Sequence, residues 1–299
     1  MKVLSSFCCF PLDCLQARNN VGIDSFWCHN KPINLIIKYL FNVMDDWDNA
    51  ILFNILKNPR GRLSDFAQGT SLSDQDVHYR LKRIRENKIL EKYMLHLDPK
   101  VLGNQAFYMA FATDVTFPGE VDSIIKCFEK LTVYGISGNE ESLNKKIEEL
   151  KSYLGNPVME YSPKPDSVPI QLSNLDSFIL KVLSRDPMTP TNIIAKESEK
   201  KVKQIESRLD YMEKHNVYNI IPKINLSRVN LVIVAFFSNN VEEIIDGIDQ
   251  ELVILRDSIS GLVLIFQQNL ADAKTVVNKI KHIDNNLDVM IVYDYNFYK

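Results

Sequence analysis

The chain repeats itself. Displaced by 128 positions, so that Asp176 lies on Asp48, the sequence aligns with itself without a gap over about 50 residues. Asp48-x-x-Ile51-Leu52 meets Asp176-x-x-Ile179-Leu180, Pro59 meets Pro187, and Ala67 meets Ala195. Val77-x-x-Arg80-Leu81 then meets Ile205-x-x-Arg208-Leu209, Ile84 meets Met212, and Ile89 meets Val217. A shared series of apolar positions, one proline and one arginine reads as a duplication. Whatever one copy folds into, the other is expected to fold into as well.

Each copy opens with three helices. In the first, Trp47, Ile51, Leu52 and Ile55 recur at helical spacing from Asp46 to Lys57, and Asn58-Pro59-Arg60-Gly61 stops the helix. A short second helix starts near Ser64, and Gly69-Thr70-Ser71-Leu72 reads as a tight turn. Ser73 caps a third helix reaching about Asn87, with Asp74 and Asp76 in its electropositive first turn. Lys88 to Tyr93 and the residues after them alternate like a strand and suit a wing. Three helices, a short turn and a β-wing make a winged helix-turn-helix.

An α/β module follows each copy. In the second, strands are expected at Asn230–Ser238, Leu252–Leu255, Leu262–Gln267 and Leu287–Tyr293, with helices at Val241–Gln250 and Ala271–Ile283. That is the β-α-β-β-α-β order of a ferredoxin-like module. The first module reads as strand Gln105–Thr113, helix Gly119–Leu131, strand Thr132–Ser137, helix Asn139–Leu154 and strand Pro157–Tyr161, with one middle strand lost. The expected fold class is therefore α+β: two winged helix-turn-helix units, each followed by a ferredoxin-like α/β module, the first one shortened. The expected boundaries are an extension at 1–43, units at 44–103 and 172–227, modules at 104–162 and 228–299, and a proline-rich linker at 163–171.

Composition narrows the functions. The 299 residues are 45% hydrophobic and 24% charged, enough for about two domains or more with a large core. No apolar run nears the roughly 18 residues of a membrane span. Ile33 to Val43 comes closest and is interrupted by Asn34 and Lys38. The net charge of -3 gives no overall pull on nucleic acid, so any DNA partner must meet local charge. Cys8, Cys9, Cys14 and Cys28 crowd the extension, and Cys127 stands alone in a segment read as helix beside Ile124, Ile125 and Phe128. Such a body reads as reduced and cytoplasmic. A metal site from those four cysteines and His29 fits no paired Cys-x2-Cys pattern, so no metal and no cofactor is expected.

Four runs carry a resemblance: Asp48-x-x-Ile51-Leu52; Ser73-x-x-x-Val77-x-x-Arg80-Leu81; Ile89-Leu90-Glu91-Lys92-Tyr93; and Leu97-Asp98-Pro99-x-x-Leu102-Gly103. Together they resemble the Lrp/AsnC family of prokaryotic and archaeal transcription regulators. The second copy, ending in Ile224-Asn225-Leu226-Ser227, departs further and lacks the Asp-Pro and Gly. The resemblance implies double-stranded DNA as partner, a small-molecule effector such as an amino acid, and paired effector modules. Here that pair could form within one chain, as a pseudo-dimer, or in a homodimer.

Burying Val77, Leu81 and Ile84 turns Gln75, Tyr79, Lys82 and Glu86 of the third helix outward, with His78 and Arg83 on the flanks. Gln can read adenine, and Lys or Arg can bind guanine edges and phosphates. Ser73, Gln75, His78, Tyr79, Arg80, Lys82 and Arg83 are the candidate DNA contacts of the first unit. Around them nine cationic side chains (Lys57, Arg60, Arg62, Arg80, Lys82, Arg83, Arg85, Lys88, Lys92) oppose five acidic ones (Asp65, Asp74, Asp76, Glu86, Glu91). In the second unit, burying Ile205, Leu209 and Met212 exposes Lys203, Ser207, Asp210 and Lys214, and Asp210 takes the place of Lys82. Lys201, Lys203, Ser207 and Arg208 are its candidates, as a weaker or backbone-only reader. Arg80 and Arg208, alike in both copies, could equally brace the fold. Asp257, Ser258 and Ser260 are the candidate effector contacts, in the loop the resemblance points to.

The main reading is a regulator and not an enzyme. No phosphate loop, Gly-x-Ser-x-Gly or His-Glu-x-x-His occurs. The alternatives are an enzyme like the siroheme decarboxylases, which share the two-part architecture, and an interaction adaptor that no longer touches DNA.

Overall fold

The computed structural model describes residues 44–299 apart from 129, 164–170, 247, 249, 258, 286 and 299. The expectations for 1–43, its cysteines and most of the proline-rich linker lie outside the described residues.

Helices α1 (Asp46–Lys57), α2 (Leu63–Phe66) and α3 (Asp74–Glu86) form the first unit. Asp45 caps α1 by accepting the Asp48 amide at 2.8 Å. Ser73 caps α3 by accepting the Asp76 amide at 3.3 Å. Between α2 and α3 the backbone turns through Gly69 at φ 77°, a left-handed conformation open to glycine. Ile51, Leu52 and Ile55 of α1 and Val77, Leu81 and Ile84 of α3 are buried together. Helices α5 (Asn174–Leu183), α6 (Thr191–Glu197) and α7 (Val202–Lys214) repeat the arrangement around Ile179, Leu183, Ile194, Ile205, Leu209 and Met212.

The strand after each third helix has a different role from the expected wing. A wing is a hairpin, whereas β1 (Leu90–Leu97) pairs antiparallel with β6 (Tyr218–Ile224), the strand of the other half. Tyr93 faces Pro222 and Met94 faces Ile221. Displaced by 128 positions, Tyr93 lies on Ile221 and Met94 on Pro222, so the ladder is symmetric about its own centre.

Eight strands make one antiparallel sheet in the order β5-β2-β4-β3-β10-β7-β9-β8. The first four are β5 (Met159–Tyr161), β2 (Gln105–Phe111), β4 (Leu131–Gly138) and β3 (Ser123–Cys127). The rest are β10 (Val289–Phe297), β7 (Val232–Ser238), β9 (Gly261–Gln267) and β8 (Glu251–Arg256). Helix α4 (Glu140–Leu154) packs Leu143 and Leu150 on Met109, Phe111, Tyr134 and Ile136. Helices α8 (Val241–Ile245) and α9 (Leu270–Ile283) cover Val234, Phe236, Val263 and Ile265. The opposite face carries a shared core, where Phe53 of α1 meets Phe266 of β9 edge-on at 5.2 Å.

Two expectations are corrected here. The first module has both middle strands and lacks the helix between its first two: residues expected as helix 119–131 contain β3, and 112–122 contain no helix. Val121, Ile124, Ile125 and Phe128 mimic a helical period because β3 is buried on both faces, Ile125 and Cys127 toward one core and Ile124 toward the other. Cys127 is thus a buried strand thiol, which burial pushes up to about 12. In the second module the first helix stops at Ile245, short of the expected Gln250.

The halves join at β10. Its first residues pair with β7 and its last with β3, and the register shifts between Val292 and Asp294. There Lys223 of β6 pairs with Asp294 and donates to the Tyr295 carbonyl at 2.6 Å. The buried Tyr295 hydroxyl donates to the Pro222 carbonyl at 2.5 Å and accepts the Ile224 amide at 3.1 Å. Replacing Tyr295 by Phe strips this joint of two hydrogen bonds and leaves a buried carbonyl and amide unsatisfied. Urea denaturation should report a loss of about 1–3 kcal/mol.

Candidate nucleic-acid interface

The buried carboxylate of Asp48 orients α3. Fully enclosed, it accepts Arg80 at 2.8 Å and also pairs with Arg83, while Arg80 reaches Asp45 at 2.6 Å. Asp176 does the same in the second unit, accepting Arg208 Nε and Nη2 at 2.7 Å each. Arg208 also lies over the Tyr211 ring at 4.3 Å. An ion withdrawn from water must be paired and hydrogen-bonded, and the guanidinium does both. Burial would raise the Asp176 carboxyl, but hydrogen bonds from Arg208 and Ser173 outweigh it and hold the group below its usual range.

Three of the candidate DNA contacts, Arg80, Arg83 and Arg208, therefore spend their charge on the fold. Neutralising Arg80 and Arg83 halves the local positive excess read from the sequence. The others remain outside. Gln75, His78, Tyr79 and Lys82 are exposed on α3, Tyr79 to 68%. Lys82 has Glu86 at 3.9 Å, an exposed pair of small energetic consequence. Ser73 is exposed but engaged as a cap, donating its hydroxyl to Asp76 at 2.6 Å. On α7, Lys201, Lys203 and Ser207 are exposed, as is Asp210. The two helices differ at the end that enters a groove in helix-turn-helix proteins. The first turn of α3 carries Asp74 and Asp76, and that of α7 carries no acid.

A cleft of about 380 Å³ runs beside α3, with His78, Lys82, Arg85 and Tyr93 on one side and Met188 of the second unit on the other. Close by, Arg60 donates to the carbonyls of Pro187 at 2.7 Å and Thr189 at 2.8 Å, tying the turn of one unit to that of the other. Reading Arg60 as part of a basic face missed this link, because its acceptors are backbone atoms.

The loop expected to hold an effector is closed. Asp257 is buried, and its Oδ1 accepts the amides of Ile259 and Ser260 at 2.9 Å each. Tyr161, at the far end of the strand order, donates to the Ser260 carbonyl at 2.7 Å and accepts the Asp257 amide at 3.0 Å. Asp257 and Ser260 thus serve their own turn, and Ser258 lies outside the described residues. Tyr161 had no mark in the sequence beyond preceding the linker.

No family model matches the chain. Among curated proteins it is similar to the HTH-type transcriptional regulator FL11 of Pyrococcus furiosus, 25% identical over 118 residues, 38% of this chain and 78% of that protein. The FL11 regulator of Pyrococcus abyssi is 25% identical over 117 residues, 37% of this chain and 78% of its own. Among solved structures, the siroheme decarboxylase NirDL aligns with a TM-score of 0.40 at 12% identity, covering 85% of this chain and 93% of that one. PH0061 aligns with a TM-score of 0.32 at 15% identity over 44% of this chain and 98% of its own. No helix among the described residues is long and apolar enough to cross a membrane.

Because the folded Asp176 carboxyl is depressed, its stabilisation is complete above the unfolded value of 3.8 and disappears as pH falls through the lower folded value. Replacing Arg208 by Ala should cost about 3 kcal/mol at neutral pH. In denaturation curves run at successive pH values, the gap to the unaltered protein should shrink below pH 3.8.

Proposed function

We propose that this chain is an internally duplicated, Lrp/AsnC-like transcription regulator that binds double-stranded DNA as an intrachain pseudo-dimer of two unlike helix-turn-helix units. The observation that carries this reading is the pair Tyr79 and Lys82: they stand exposed on a helix that Asp48, through Arg80 and Arg83, fixes against the core. Side chains that read bases need such support, since a reading helix that rocks loses its register on the groove. Similarity to proteins named as helix-turn-helix transcriptional regulators supports it too, and the matched 118 residues are close in length to one repeat. We place such a regulator in the cytoplasm and give it no enzymatic role.

The two helices divide the work. Gln75, Tyr79 and Lys82 of α3 read base edges, and Lys82 with its neighbours also meets phosphate. Helix α7, with Lys200, Lys201 and Lys203 at its start and Asp210 midway, grips the backbone near its N-terminus and reads little. Arg60 sets the spacing between the two heads through its hold on Pro187 and Thr189.

Fluorescence anisotropy with genomic fragments at stepped salt concentrations tests this. Affinity should fall steeply with salt. Lys82→Ala should weaken binding about tenfold and broaden the preferred sequences. Lys201→Ala with Lys203→Ala should weaken all sequences alike and lower the salt slope by about two. The reverse ranking would exchange the roles of the two helices, and affinity indifferent to salt would leave the adaptor reading in its place.

A further inference from the structure

A second cleft, of about 630 Å³, lies in the first module where its missing helix would have packed. Residues 112–122 cross there as a loop, anchored by the Tyr134 hydroxyl, which donates to the Val115 carbonyl at 3.0 Å and accepts the Phe117 amide at 3.1 Å. One wall is apolar, with Leu97, Leu102 and Phe117. The ionisable groups are His96 of β1, Glu120, Asp122, Lys146 and Tyr298, with Asn104, Thr116 and Ser137 beside them.

We propose that this cleft binds a small organic amine, with its ammonium among His96, Asp122 and Glu120 and its apolar body against Phe117. His96 carries the argument. Its ring meets Phe297 edge-on at 5.3 Å, and its nitrogens have no hydrogen-bond partner among the described residues. Burial pushes the imidazole down to about 4, so at neutral pH the ring is uncharged and can accept a hydrogen bond from a donor in the cleft. Asp122 has no ion pair among the described residues, and burial lifts its carboxyl above the usual range despite Ser137 and Lys146. Lys146 spends a hydrogen on the Ser137 carbonyl at 2.9 Å. Among the charged side chains of the cleft, two carboxyl groups therefore face one ammonium. The volume suits a body the size of an indole.

The cleft also touches the reading machinery. His96 and Leu97 end β1, the strand that leaves α3 and pairs with β6, so an occupant would bear on the link between the two units. That consequence rests on the DNA-binding reading; occupancy itself does not.

Isothermal titration calorimetry on the full chain separates the two. Tryptamine is compared with indole-3-propionate, which keeps the ring and reverses the head charge; phenethylamine, agmatine and spermidine vary the body. At least one amine should saturate with a Kd below about 1 mM, and tryptamine should bind at least about tenfold tighter than indole-3-propionate. Asp122→Asn and His96→Phe should each weaken binding about tenfold, and Glu120→Gln, at the exposed mouth, about threefold. Circular dichroism melts check that each variant folds, and Glu120→Gln keeps the test alive should the buried variants fail. Equal affinity for both indole heads, amine binding indifferent to every folded variant, or no saturation by any amine up to about 10 mM would overturn the proposal. Amine binding that left DNA affinity unchanged would keep the site and remove only the coupling.

Discussion

The arrangement depends on the last strand having two neighbours. β10 gives its first residues to β7 and its last to β3, and between them the ladder shifts so that Asp294 meets Lys223. Without the pairing of β10 to β3, these strands would be the raw edges of two four-stranded sheets, each needing cover. With it there is one sheet of eight strands, and the pair of strands carrying the helical units is pinned to the seam through Tyr295. The matching junction on the other side, between β5 and β8, is not a strand pairing. β5 has three residues, and the Tyr161 hydroxyl bridges to the Asp257–Ser260 turn instead. The sheet curls until its ends meet through one phenol.

Much of this was legible in the residues. Val77, Leu81 and Ile84 mark the inner stripe of α3, Ser73 marks its start, and all four behave as their chemistry dictates. The order of strands and helices in the second module follows from alternating runs and turns. The first module was misread because β3 lies between two other strands with both faces covered, so nothing alternates. A stretch such as Val121, Ile124, Ile125, Phe128 then satisfies a helical period by accident. Burial on two sides removes the signal that separates the two structures.

The candidate site was half legible. The exposed face of α3 follows from geometry alone. The fate of Arg80 and Arg208 does not, because a guanidinium suits a phosphate and a carboxylate equally well. A clue was present: both copies keep an aspartate with the arginine, Asp48 with Arg80 and Asp176 with Arg208, and each pair closes a buried bridge. The roles of Tyr161, Arg60 and His96 could not be read, since each is defined by atoms about a hundred residues away or by a loop whose course depends on the missing helix.

The hold of Arg60 on the second unit has a wider meaning. Its acceptors are the carbonyl oxygens of Pro187 and Thr189, which every amino acid possesses. A grip on main chain is blind to the side chains around it. The surface of the second unit could therefore change, residue after residue, while its position beside the first stayed put. The two halves can thus differ chemically without losing their alignment, with Asp210 on one helix at the place where the other carries Lys82.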